Sequence, residues 1–84
     1  MNNNIIKKYH CPCCGYRTLN DKPGTFDICP VCYWEDDNIQ RDNPDYQGGA
    51  NDISLNKARN NYQKTGAISS EYCDKVRPPL EDEK

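Results

Sequence analysis

The sequence predicts one small α+β domain, residues 1–84, in which a cysteine-rich head packs against a C-terminal helical segment. Two observations lead to this fold class. Ile, Leu, Val and Phe together account for 12 of the 84 residues, too few to build a core by aliphatic packing alone. Five of the six cysteines lie within residues 9–34, whereas the helical pattern lies in the second half. Such a short chain is not a multidomain enzyme, and it needs a further source of stability.

The first segment, residues 9–34, is predicted to form short strands joined by tight loops. Five prolines and glycines interrupt it, and these residues end helices and favour turns. The second segment, residues 35–52, is acidic, polar and contains a pair of glycines, so it is predicted to be a loop. Neither segment shows the pattern of a long helix.

A helix is predicted to begin near Ser54. Leu55, Ala58 and Tyr62 follow at spacings i, i+3 and i+7, which places them on one face. Gly66 is predicted to end the helix, because glycine readily adopts the left-handed conformation found at helix C-termini. The apolar face is expected to pack on the head.

The helical segment as a whole is predicted to cover residues 54–76. A further helical turn or two is expected after residue 68, with Ser69 or Ser70 as its cap. Residues 77–84 begin with Arg-Pro-Pro, which ends a helix, and are predicted to form an acidic tail. The apolar face of the helix is expected to lie near Trp34 or Tyr33.

The strongest signal in the chain is a repeated Cys-Pro-x-Cys sequence. The copies are Cys11-Pro12-Cys13-Cys14 and Cys29-Pro30-Val31-Cys32, with 14 residues between them. Two such loops can direct four sulfurs at one point, which is the donor set of a closed tetrahedral zinc site. Four thiolates leave no open coordination position, so the site is structural and not catalytic. We therefore predict one structural Zn²⁺ ion bound by Cys11, Cys14, Cys29 and Cys32.

The head around this site is predicted to be a zinc ribbon or a rubredoxin-like fold. Glycine is favoured just after the second cysteine of each loop, where φ is often positive. Gly15 meets this requirement in the first loop, but Tyr33 occupies the corresponding position in the second. The second loop is therefore predicted to be less ideal or wound differently, and iron in a rubredoxin-like site is less favoured than zinc.

Three further residues are candidates for the metal site or its surroundings. Cys13 lies inside the first loop and can replace Cys11 or Cys14 as a ligand, although the Cys-Pro-x-Cys pairing favours those two. Cys73 is predicted to be a spare, partly buried thiol. His10 adjoins Cys11 and is an alternative ligand, but its position favours a hydrogen-bonding neighbour or a bystander.

Three acidic residues, Glu35, Asp36 and Asp37, follow the second loop directly. They do not fit a calcium loop, which would need glycine at Arg41 and glutamate at Gln47. We expect the rigid metal loop to present them to solvent, where they either keep the protein soluble or bind a basic protein surface. The formal net charge of −2 makes nucleic acid a less favoured partner.

The sequence lacks the patterns of membrane insertion and secretion. It contains no run of 18 apolar residues. Its start, Met1 to Lys8, lacks the apolar core and small-residue cleavage site of a secretory signal. We therefore expect a cytoplasmic protein whose thiols stay reduced and available to a metal.

These motifs resemble those of the small bacterial cysteine-rich proteins named after their Cys-Pro-Cys-Cys sequence. The resemblance runs from about Tyr9 to Glu83. It rests on Cys11-Pro12-Cys13-Cys14-Gly15-Tyr16, on Cys29-Pro30-Val31-Cys32-Tyr33-Trp34-Glu35-Asp36-Asp37, on Gly48-Gly49-Ala50-Asn51 with Ser54-Leu55 and Ala58-Arg59, and on Val76-Arg77-Pro78. The resemblance implies a zinc-binding protein and does not imply a particular activity.

The leading functional expectation is a structural-zinc module that binds another protein and is not an enzyme. No nucleophile–base pair or phosphate-binding loop is recognisable, so no catalytic residue is predicted. One form of the module is a cytosolic immunity-type protein against a cationic toxin, an expectation that rests on analogy. The alternatives are a nucleic-acid-associated zinc ribbon that assists transcription or translation, and a rubredoxin-like electron carrier.

Overall fold

A computed structural model describes residues 8–84 of the chain. The elements form a small α+β fold, as the sequence predicts, with one two-stranded antiparallel sheet among the described residues. No helix in this part of the chain is long and apolar enough to cross a membrane. In order, the elements are β1 (Tyr9–His10), β2 (Arg17–Leu19), α1 (Asn38–Asp42), α2 (Leu55–Thr65) and two 3₁₀ helices (Ser70–Lys75 and Glu81–Glu83).

Strands β1 and β2 form a hairpin that carries the first cysteine loop at its tip. Tyr9 pairs with Leu19 and His10 pairs with Arg17, with an irregularity in the register between the two pairs. Leu19 is 1% exposed and belongs to the core. The hairpin therefore anchors the first loop to the centre of the domain at the end of β2.

Helix α2 begins and ends where the sequence predicts. The Ser54 hydroxyl accepts a hydrogen bond from the Lys57 N–H at 3.1 Å, which satisfies one of the free donors of the first turn. At the other end Gly66 has a φ of 88°, and its N–H donates to the Tyr62 carbonyl. This left-handed glycine stops the helix, as expected for such a cap.

The buried face of α2 and the cysteine loops share one core. Leu55 and Ala58 are fully buried in the same cluster as Trp34, and Tyr62 packs against that cluster from its edge. The predicted contact between the apolar helix face and the head is thus confirmed. The buried members of the cluster are Cys11, Cys13, Leu19, Cys29, Val31, Cys32, Trp34, Leu55, Ala58 and Ile68.

The segment 35–52 is not a plain loop, because it contains the short helix α1. Asp37 is its N-cap, and one carboxylate oxygen accepts hydrogen bonds from the N–H groups of Ile39 at 2.8 Å and Gln40 at 3.3 Å. A helix of five residues is too short to show a hydrophobic period, and for that reason the sequence pattern misses it.

The predicted helical turn after residue 68 is present as a 3₁₀ helix, Ser70–Lys75. Ser69 precedes it as the N-cap residue but makes no capping hydrogen bond with its side chain. Tyr72 lies on this helix and stacks on Tyr33, with the ring centroids 4.4 Å apart. The 3₁₀ helix therefore packs beside the second cysteine loop.

The C-terminal residues 77–84 are folded against the domain and are not a free acidic tail. Arg77 donates two hydrogen bonds of 2.8 Å to the Glu83 carboxylate, and its backbone N–H donates to the Pro30 carbonyl at 3.1 Å. The Glu83 side chain is 5% exposed. Paired arginine–carboxylate hydrogen bonds of this kind are strong, and a count of acidic residues does not reveal them.

The Arg77–Glu83 pair predicts a pH-dependent contribution to stability. The Arg77 guanidinium lowers the pKa of Glu83 to about 2, so ionised Glu83 is favoured in the folded state. The contribution is fully present above the ordinary glutamate pKa and is lost as the pH falls towards 2. We expect Glu83→Gln to lower the free energy of unfolding at pH 7 by about 1–3 kcal/mol.

Denaturant unfolding of Glu83→Gln and of the parent protein at several pH values measures this effect. Acid also releases metal from thiolates, but it does so in both proteins, so their difference isolates Glu83. Glu81→Gln is the matched control, because Glu81 is 91% exposed and pairs with Lys84 at the surface. We expect the control to change stability by less than about 0.5 kcal/mol. A Glu83→Gln effect that does not vary with pH would contradict the prediction.

Candidate metal centre

The first cysteine loop is a tight turn closed by two backbone hydrogen bonds. The Cys11 N–H donates to the Tyr16 carbonyl at 2.9 Å, and the Gly15 N–H donates to the Cys11 carbonyl at 2.8 Å. Gly15 has a φ of 84°, which glycine adopts without steric cost. This winding directs the sulfurs of Cys11 and Cys14 towards those of Cys29 and Cys32 in the second loop.

The second loop has the same winding as the first, so the expectation of a different winding is wrong, whereas the alternative of a less ideal geometry agrees with a positive φ at a non-glycine residue. The Cys29 N–H donates to the Trp34 carbonyl at 2.9 Å, and the Tyr33 N–H donates to the Cys29 carbonyl at 2.8 Å. Tyr33 has a φ of 76°, so it adopts the conformation that Gly15 has in the first loop. The Tyr33–Tyr72 stack helps to hold this unfavourable conformation, and Tyr33 is therefore no argument against iron.

Two substitutions at this position separate the backbone strain from the aromatic contact. Tyr33→Gly and Tyr33→Ala both remove the ring, but alanine retains the Cβ that disfavours positive φ. We expect Tyr33→Gly to be more stable than Tyr33→Ala by about 1 kcal/mol. Chemical denaturation of the metal-loaded proteins measures the difference.

Gly15→Ala serves as the control for this comparison. A Cβ added at Gly15 meets no atom within 4 Å, so its cost comes from backbone strain. It should destabilise the protein by about the same 1 kcal/mol. Equal stabilities of Tyr33→Gly and Tyr33→Ala would show that the second loop does not need a positive φ.

The two loops bring the four predicted ligand sulfurs into one cluster. The sulfurs of Cys11, Cys14, Cys29 and Cys32 all lie within 4.8 Å of one another. Two distances that join the loops are 3.6 Å, between Cys11 and Cys32, and 3.7 Å, between Cys14 and Cys29. A regular tetrahedron with zinc–sulfur bonds of about 2.3 Å has its sulfurs about 3.8 Å apart. The cluster therefore fits a metal ion bound by four thiolates.

Neighbouring thiols in the cluster oppose their common ionisation. The neighbouring Cys11 thiol lowers the pKa of Cys14 and of Cys29. Conversely, the neighbouring Cys14 raises the pKa of Cys11, and Cys11, whose sulfur lies 3.6 Å from that of Cys32, raises the pKa of Cys32. A bound cation is the group that allows all four to exist as thiolates together.

The other sulfur and nitrogen candidates lie outside this group of four. Cys13 is 9% exposed and packs in the core. Cys73 is exposed, which corrects the expectation of a partly buried thiol, and its S–H donates to the Thr65 carbonyl at 3.4 Å. The His10 Nδ1 donates to the Gly15 carbonyl at 3.0 Å, so His10 is a neighbour that supports the first loop.

The acidic residues after the second loop do not form the exposed surface that the sequence suggests. Asp36 and Asp37 are 1% and 6% exposed, and Glu35 is half-buried. The Asp36 carboxylate accepts a hydrogen bond from the Gly24 N–H at 2.9 Å and lies 3.9 Å from the Arg41 guanidinium. Asp36 and Asp37 are turned inward because each accepts a hydrogen bond from a backbone donor of a neighbouring loop, although the Oδ1 atom of Asp36 accepts none.

Asp37 connects α1 to the glycine-containing loop. The Ala50 N–H donates to its carboxylate at 2.9 Å, on the oxygen that the helix cap leaves free. Burial disfavours ionisation of Asp37, but the N–H groups of Ala50, Gln40 and Ile39 outweigh it and lower its pKa. A Cβ at Gly49 would lie 2.5 Å from the same carboxylate, so the close approach requires glycine.

A buried network of amide side chains also connects α1 to the glycine-containing loop, and the sequence does not reveal it. Gln40 is fully buried, and its side chain donates to the Ile53 carbonyl at 3.0 Å and accepts from the Asn51 N–H at 3.1 Å. Asn51 in turn exchanges two hydrogen bonds with the backbone of Glu35, at 2.9 Å and 2.8 Å. The network fixes the chain that follows the second cysteine loop.

The comparison with known protein families matches most of the chain. A sequence model of the family described as "Cysteine-rich CPCC" matches residues 9–83, which include both cysteine loops, the glycine-containing loop and the docked C-terminal residues. No curated protein matches the chain significantly. The resemblance inferred from the motifs is thus confirmed over nearly the whole chain. This protein belongs to the cysteine-rich CPCC family.

Proposed function

We propose that the chain is a structural-zinc protein with a zinc-ribbon or rubredoxin-like head. The observation that carries the proposal is the cluster of four cysteine sulfurs within 4.8 Å of one another. Two loops of identical winding supply two sulfurs each, which suits a tetrahedral ion. Zinc brings no redox chemistry, and four thiolates leave it no position for water, so the proposed role is not catalytic.

Elemental analysis and cobalt titration of the purified protein test this proposal. We expect one zinc ion per chain and a Co²⁺ complex with intense sulfur-to-metal absorption. Cys14→Ser should weaken the absorption because it removes a ligand, whereas Cys73→Ser should leave it unchanged. A red protein that contains iron would overturn the zinc assignment in favour of an electron carrier. A chain that binds neither metal stoichiometrically would overturn the proposal altogether.

We also propose that the metal-bound fold acts by contacting another protein. Phe26, Ile28 and Ile39 support this, because their side chains are 52%, 45% and 57% exposed. We call these three residues the apolar loop surface. Phe26 has a φ of 62°, a strained conformation for an aromatic residue, and such strain is concentrated at functional sites.

The residues that directly follow the second cysteine loop pair with two members of the apolar loop surface. Ile28 forms an antiparallel bridge with Glu35, and the Phe26 N–H donates to the Asp36 carbonyl at 3.0 Å. Ile39 lies three residues after Asp36 in the sequence, within α1. A partner that binds here would therefore contact backbone whose position depends on the metal-binding loop.

The partner that we propose has a basic surface. The formal net charge of the chain is −2, and a Zn²⁺ ion with four thiolates is itself negatively charged. Charge of one sign speeds association with a surface of the other sign. A cytoplasmic immunity-type protein against a cationic toxin is one form of this proposal. None of the six cysteines forms a disulfide, which is compatible with such a reducing compartment.

Photo-crosslinking in cells of the source organism tests the interaction. A photoreactive amino acid replaces Ile39 in one variant and Lys64, an exposed residue of α2, in the control. We expect a basic protein to be linked at Ile39 and not at Lys64. The link should weaken with Phe26→Asn, which removes the apolar ring without adding charge and tolerates the positive φ at this position. In a lysate, added salt should weaken the link as well. Equal labelling at both positions, or no labelling at Ile39, would contradict the proposal. For the immunity form, the linked protein must also be toxic to cells that lack this chain.

A further inference from the structure

A threonine from the first hairpin contacts a sulfur of the second loop. The Thr18 hydroxyl oxygen lies 2.9 Å from the Cys29 sulfur, and Thr18 is 1% exposed. Thr18 belongs to β2, so this contact joins the hairpin to the loop that supplies the other two ligands. The Val31 N–H donates to the same sulfur at 3.4 Å. Cys29 therefore has two neighbours that can donate to it.

Metal binding decides which atom is the donor in the Thr18–Cys29 contact. A sulfur that binds a metal is a thiolate and has no proton to give. The threonine hydroxyl must then donate, and the hydrogen bond is assisted by the charge on the sulfur. Such a bond withdraws charge from the thiolate, which makes the sulfur less reactive towards electrophiles while it stays bound.

The four ligands differ in their surroundings. Cys11, Cys29 and Cys32 are buried, whereas Cys14 is partly exposed. Cys29 combines full burial with hydrogen bonds from Thr18 and Val31. Cys29 is thus a protected ligand and Cys14 an accessible one, and their sulfurs lie 3.7 Å apart.

We propose that Thr18 is a positioning residue for the metal centre, which fixes the Cys29 thiolate as the last ligand to be released and leaves Cys14 as the ligand at which exchange begins. The inference rests on the proposed binding of a metal by the four thiolates. Residues that hydrogen-bond to metal ligands commonly change metal affinity about 10- to 100-fold when they are replaced. The same range is expected here for loss of the hydroxyl.

Two variants separate the hydroxyl from the methyl group of Thr18. Thr18→Val keeps the shape and loses the hydroxyl, whereas Thr18→Ser keeps the hydroxyl and loses the methyl group. In the Co²⁺-loaded protein, Thr18→Val should move the sulfur-to-metal absorption to longer wavelength, because the thiolate regains charge. It should also bind the metal about 10-fold or more weakly. Thr18→Ser should keep the parent spectrum even if the lost methyl group makes it less stable.

Pulsed alkylation of the zinc-loaded parent chain, read by mass spectrometry, gives a test that needs no variant. We expect Cys14 to be modified before Cys29, with the exposed Cys73 as an internal standard for the reagent. In Thr18→Val the difference between the alkylation rates of Cys14 and Cys29 should become smaller. Circular dichroism of each loaded variant confirms that it is folded.

The outcomes distinguish this inference from the proposed function. Modification of Cys29 before Cys14 in the parent chain would overturn the inference, and so would a Thr18→Val spectrum identical to the parent spectrum. Equal shifts in Thr18→Val and Thr18→Ser would show a packing effect without a role for the hydroxyl, and would also overturn it. Failure of the parent chain to bind Co²⁺ at all would instead overturn the proposed metal site.

Discussion

Removal of the zinc ion proposed for the four-cysteine cluster is expected to unfold the domain. Of the Ile, Leu and Val residues in the described part of the chain, the core buries Leu19, Val31, Leu55 and Ile68, and the cysteine loops make up much of the rest. Structural zinc contributes about 10–16 kcal/mol of apparent binding free energy in small peptides, which equals or exceeds the stability of a typical domain. Chelation by EDTA or a stronger chelator should therefore abolish the native circular dichroism spectrum.

Substitution of single ligands should have the same consequence. Cys29→Ser leaves three thiolates and removes the sulfur that contacts Thr18, so we expect an unfolded or aggregating chain. Cys73→Ser is the matched control, because Cys73 is exposed and lies outside the group of four. It should keep the native spectrum and the metal. A chain that retains its native spectrum after complete chelation would show that packing alone holds the fold.

The cluster of four cysteines was predictable from the sequence because its information is local. The Cys-Pro-x-Cys spacing specifies a turn, and two such turns specify four converging sulfurs. The limits of α2 were predictable for the same reason, since Ser54 and Gly66 are local start and stop signals. The winding of the second loop was not predictable in this way, because Tyr33 adopts its conformation beside a stacking partner, Tyr72, nearly 40 residues further along the chain.

The acidic residues were misjudged because burial is a tertiary property. Asp36 and Asp37 look like a charged surface in the sequence, but each finds backbone donors in another segment, at Gly24 and Ala50. The contact of Thr18 with Cys29 and the pair of Arg77 with Glu83 also join distant segments. None of these contacts has a periodic pattern, so spacing rules do not find them.

The helix should contribute to stability separately from the metal. Leu55 is fully buried in the cluster that contains Trp34 and the cysteine ligands. Leu55→Ala should therefore lower the free energy of unfolding by about 2–5 kcal/mol, because it removes buried methyl groups and leaves a cavity. The measurement is denaturant unfolding at saturating metal, so that a change in metal occupancy does not add to the effect.

Leu80→Ala removes the same atoms from a side chain that is 53% exposed, and it is expected to cost less than about 0.5 kcal/mol. A Leu55→Ala cost as small as this control would mean that the metal loops fold without α2. A cost within the expected range would mean that α2 and the metal loops stabilise one shared core. In that case, substitutions on the buried face of α2 should also speed the loss of metal to a chelator, because opening of the core exposes the thiolates.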